Sequence, residues 1–189
     1  MERVMDIEKL KQDREFLQNL EEQKRSALRS KDIVKMYDVL DTMLALDMEE
    51  ENIDLLYQNI LETAFDTLTQ MLTEGQKFDF HKEFDEYVAR AIYEHALERW
   101  DRGDRKGAKE LFLVLSFLVP QNYKEAMFLP LVATAKGMDL DEFLNNFVAK
   151  EKIEEESFFF DKFTDNAKKF LKENEKTLDE ELKKAEKLA

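Results

Sequence analysis

The chain has 189 residues, a formal net charge of −14 and no cysteine. The length suits one domain or one plus an appendage, and the missing thiols exclude disulfides, thiolate catalysis and Cys-zinc sites. Four Gly and two Pro leave little turn chemistry for sheets, while 43% hydrophobic residues with 15 Phe supply a sizeable core, so the expected fold class is all-α.

Residues 1–10 carry no apolar signal core, which makes the cytoplasm the expected location. Residues 6–28 place Ile7, Leu10, Phe16, Leu17, Leu20 and Leu28 on a sparse helical stripe, predicting a partly exposed first helix. Ser30 is the expected cap of a second helix, over 31–46, whose broad apolar face runs from Ile33 to Leu46. Asp47 with Glu50 has capping-box spacing, and Asn52 competes with it as a cap. A third helix over 50–74 then ends at Gly75. The second and third helices are expected to pack as an antiparallel pair.

The charge is concentrated in this region. Residues 1–30 carry seven acids and seven bases, and residues 161–189 carry eight of each, so the whole excess lies between them. From Met36 to Gln76 there are ten acids and no Lys or Arg. Such a surface repels phosphate, which argues against nucleic acid as a partner. It attracts a basic protein segment, and it also serves plain solubility.

A fourth helix is expected from Asp79 through Phe84, Tyr87, Val88, Ala91 and Ile92 to Trp100. Gly103 turns the chain, Asp104 caps a fifth helix, and Pro120 ends it. Residues 111–119 are apolar almost throughout. Nine such residues indicate a helix buried on several sides, because a membrane span needs about 20. Asn122 with Glu125 and Asp139 with Glu142 have capping-box spacing for a sixth and a seventh helix. Pro130 is expected to kink or break the sixth.

Ala96, Gly103, Ala108, Phe112, Pro120 and Asn122 fall in the order and approximate spacing of one tetratricopeptide repeat, and the chain resembles that family over about 89–122. Residues 123–149 are similar to a degenerate second copy, with Gly137 at the turn and Glu142 where a small residue is usual. The first repeat, from Tyr93 through Trp100, Gly103, Asp104 and Ala108 to Asn122, is also similar to secretion chaperones of type III export systems. The family likeness implies an antiparallel array of about seven or eight helices whose first helices line a concave groove. It maps groove-facing positions to Arg90, Tyr93, Leu97 and Trp100, then Met127 and Leu131. Tyr93 and Leu97 stand where carboxylate-clamp members carry Lys and Asn, so an apolar or amphipathic peptide is the implied ligand. Ordinary core residues are the competing account of the same side chains.

The chain changes character at 154, giving an expected helical domain over 1–153 and a helical appendage over 154–189. Phe158, Phe159 and Phe160 on a helix would cover about 200° of arc, more than one contact face buries. The body, a second copy of the chain or a partner must therefore cover at least one, which makes Phe158 and Phe159 candidate partner-binding residues. Phe163, Ala167, Phe170, Leu171, Leu178, Leu182, Ala185 and Leu188 then form a narrow stripe, broken at Asn174. Neither His81 nor His95 has the Glu-x-x-His spacing of a helical di-iron site, and no phosphate-loop, dinucleotide, zincin or nucleophile-elbow motif occurs. His95 with Glu98 one turn on is expected to be a hydrogen-bonded pair. No enzyme activity, metal or cofactor is expected. The expected function is a protein-binding adaptor or chaperone holding a basic or amphipathic segment for export or assembly. The alternative is a structural subunit that homo-oligomerises through its terminal helices.

Overall fold

The computed structural model describes residues 7–154 and 157–186. Asp6, where the first helix is expected to begin, and Leu188, the last residue of the expected terminal stripe, lie outside them. Among the described residues the fold is all-helical, with ten α-helices, two short 3-10 turns and one isolated antiparallel bridge between Val148 and Phe163. None of these helices is long and apolar enough to cross a membrane. The chain forms two compact units, Met1–Thr67 and Leu68–Ala189. The division falls within one helix and not at 153/154, and residues 154–189 belong to the second unit.

The first unit holds α1 (Ile7–Gln12), α2 (Arg14–Ser30), α3 (Ile33–Ala45) and most of α4 (Glu50–Glu74). The single first helix expected from the sequence is broken at Asp13, whose carboxylate accepts from the Glu15 and Phe16 N–H groups and caps α2. Ser30 does not cap α3. Its hydroxyl turns back to the Ser26 and Ala27 carbonyls, and Asp32 caps α3 by accepting from Lys35 N–H. Lys31 at φ 50 makes the reversal left-handed, so two residues suffice to fold α3 back along α2. This α2–α3 hairpin adds to the expected α3–α4 pair, for which the Lys31–Asp66 ion pair at 3.7 Å sets the start of α3 beside the later part of α4. The capping box at Asp47 does not form either. Asp47 takes a left-handed φ of 48, and Glu49 stands before the first turn of α4, with Asn52 Nδ2 donating to its carboxylate. Ile33, Met36, Tyr37, Leu40, Met43, Leu56, Ile60 and Ala64 are buried.

In the second unit α4 ends at Glu74, and Gly75 takes the left-handed φ of 66 expected of it. The next helix, α5 (Glu83–Asp101), starts four residues later than expected. Asp79 organises a preceding turn by accepting from His81 N–H, while its own N–H donates to Asp85. Gly103, at φ 86, closes the turn into α6 (Arg105–Leu118), and Asp104 caps α6 through Gly107 N–H at 2.9 Å. The Arg99 guanidinium lies over Gly107 on its way to Asp104. Together α5 and α6 form a close hairpin, and α6 packs equally closely on α7 (Lys124–Ala135) across Pro120 and a 3-10 turn. The α7 start has no side-chain cap, so the Asn122–Glu125 box is absent, and Pro130 neither breaks the helix nor ends it. Thr134 donates to the Pro130 and Leu131 carbonyls.

The short helix α8 (Leu140–Asn146) packs on α5. Its Asp139 is the N-cap residue by position but makes no capping bond; the carboxylate pairs with Arg105 instead. Trp100 Nε1 donates to the Met138 carbonyl at 2.8 Å, tying α5 to the α7–α8 turn. After residues 147–164, α9 (Asp165–Glu173) packs on α7, and α10 (Glu175–Glu186) packs on α6 and α7. Asn174 breaks the stripe between these last two helices, as its place in the sequence suggests.

Candidate functional site

Residues 158–160 are not helical. They run as a strap across α5, because the chain on either side is tied down. Ala149 N–H donates to the Lys162 carbonyl and Thr164 N–H to the Phe147 carbonyl, both at 2.9 Å, flanking the Val148–Phe163 bridge. The Thr164 hydroxyl adds a bond to the Asn146 carbonyl and caps α9 through Ala167 N–H. The chain bends at Phe158 and Phe159, so the three rings are not fixed on one helical arc, and each finds a ring of α5: Phe158 meets Tyr87, while Phe159 and Phe160 meet Tyr93.

Phe159 is the anchor, only 2% exposed. Its ring stacks on Phe80 at 5.8 Å and meets the edges of Tyr93 at 5.1 Å and Tyr123 at 5.7 Å. Phe80 and Tyr123 are themselves in edge contact at 4.8 Å, so three rings cage Phe159 and two of them also meet each other. Phe158 lies against Tyr87 at 4.9 Å and beneath the Arg90 guanidinium at 4.6 Å. Arg90 is held in place by Glu94 at 2.8 Å. Phe160 N–H donates to the Tyr93 hydroxyl at 3.2 Å, and Ser157 Oγ donates to the Phe159 carbonyl. Full burial of a Phe contributes about 1.5–3 kcal/mol and each good ring pair about 0.5–1.5 kcal/mol more, against about 1 kcal/mol for a neutral hydrogen bond. The cage around Phe159 therefore outweighs the backbone bond in holding the strap in place.

Electrostatically the cleft is apolar at its floor and acidic at its edge. Burial pushes the Tyr93 hydroxyl far above its ordinary range, and the Phe160 N–H it accepts from offsets only part of this. Tyr123 is raised by burial first, then by the carboxylates of Glu86 and Asp161. Glu86 is in turn raised by burial and by Glu83. Asp161 Oδ1 is buried without a hydrogen-bond partner, while Oδ2 lies 3.5 Å from Lys162 Nζ. An open cavity of about 460 Å3, lined by residues 78–81, Pro120, Asn122 and Tyr123, adjoins Phe80 and Tyr123.

The residues singled out in the sequence divide between this cleft and the core behind it. Arg90, Tyr93, Phe158 and Phe159 meet in the cleft. Trp100 packs against Phe112 and Phe143, Met127 and Leu131 are fully buried, and Leu97 is half-buried; none of these four has a ring or hydrogen-bond contact with the strap. Phe80, Tyr87, Tyr123 and Asp161 complete the site and carried no separate signal, since an aromatic residue in a helical stripe looks the same whether it meets core or ligand. The arc covered by three successive Phe was the usable clue. His95 Nδ1 lies 3.3 Å from Glu98 Oε2, and among the described residues no group of three or more His, Asp or Glu is arranged to hold a metal ion.

Compared with known proteins, the chain matches no family model, no curated protein and no solved structure.

Proposed function

We propose that the chain is a non-catalytic binding protein, an adaptor or chaperone that holds a non-helical aromatic segment of another protein in the α5 cleft. One observation carries the reading: the cleft already holds such a segment, residues 157–161, through an aromatic cage, a cation–π contact and a backbone bond. Aromatic anchors of this kind give large contact area at low entropic cost. The α5–α6 hairpin, with α6 packed in turn on α7, supports a tetratricopeptide-like arrangement. We place the protein in the cytoplasm, with a client bound for export or assembly as the secretion-chaperone likeness suggests. Homo-oligomerisation through 154–189 is the weaker reading, since α9 and α10 already pack on α6 and α7 of their own chain.

The test is affinity capture by the tagged full chain from its own cells, wild type beside Arg90→Glu. Arg90, with a side chain 13% exposed, lies over Phe158 and Tyr87 and is not one of the rings around Phe159. A protein retained by the wild type and released by Arg90→Glu supports the reading. Recovery of the tagged chain alone, as a multimer in size-exclusion chromatography with light scattering, overturns it in favour of the structural subunit.

A further inference from the structure

We draw no further inference here: the strongest candidate, the outward face of α4 where Leu55 is 52% exposed between the exposed carboxylates of Glu51 and Glu62 on a helix without Lys or Arg, is an acidic surface patch, and nothing in the structure shows what covers it.

Discussion

Gly107 and Asp104 illustrate how a single turn of helix can carry two requirements with different tolerance. Asp104 accepts from Gly107 N–H and from Arg99, and both contacts hold its carboxyl below the usual carboxylate range, the Gly107 bond most of all. A Cβ at Gly107 would collide with the Arg99 guanidinium, but that group ends a flexible, 40% exposed side chain that can swing into water. Gly→Ala within a helix is otherwise favourable, and an exposed ion pair contributes little. We therefore expect Gly107→Ala to leave the thermal midpoint within about 2 °C, and Asp104→Ala to lower it by about 3–5 °C through loss of the cap. A thermal melt of the two variants checks the contrast; a larger loss for Gly107→Ala would place the Arg99 contact above the cap.

Among the elements, α10 is held by one partly buried charge cluster. Glu181 is 6% exposed, with Lys109 of α6 at 3.0 Å and Lys184 at 2.6 Å. Burial alone would raise its pKa, but the Lys184 hydrogen bond and the nearby Lys109 ammonium more than reverse this and hold it low. A depressed carboxyl contributes stability that is present above its unfolded value of about 4.3 and is lost as pH falls through the folded value. Amide exchange in α10 is thus expected to accelerate on acidification below about pH 4.5 more than exchange in α6. Glu181→Gln, which strands Lys109, should raise α10 exchange at pH 7 to a similar degree, a loss of about 1–3 kcal/mol. Unchanged protection would mean that apolar packing alone docks the helix. The same scale explains what the sequence reveals. Gly75, Gly103, Asp104 and Pro120 act within a few residues of themselves, so their roles are legible from local chemistry. The α2–α3 reversal was not, because Ser30 and Asp32 both cap well and the choice depends on Lys31 adopting a left-handed turn. The strap was legible only as a problem of coverage: Phe159 and Tyr93 are far apart in sequence, and nothing local encodes that they meet.

At the level of the whole molecule, the acidic stretch and the aromatic cleft belong to different units. Ten acids between residues 38 and 74 mark the first unit and its shared helix, whereas the cleft lies wholly in the second. Exposed charge interactions are screened over about 8–10 Å at 0.10–0.15 M salt. Partner binding that uses the acidic face should fall steeply between 0.05 and 0.5 M NaCl, while binding confined to the cleft should hardly change. Titration of a captured partner over that range assigns it to one unit or the other. The chain's single tryptophan, Trp100, gives the two units separate optical voices. It lies in the second unit, 2% exposed and hydrogen-bonded to the Met138 carbonyl. Intrinsic fluorescence excited at the red edge of tyrosine absorption therefore follows the second unit alone, whereas far-ultraviolet dichroism follows the helices of both. Coincident denaturation curves from the two signals mean one cooperative molecule; a dichroism step that leaves the emission untouched means the first unit melts first, with the cleft still standing.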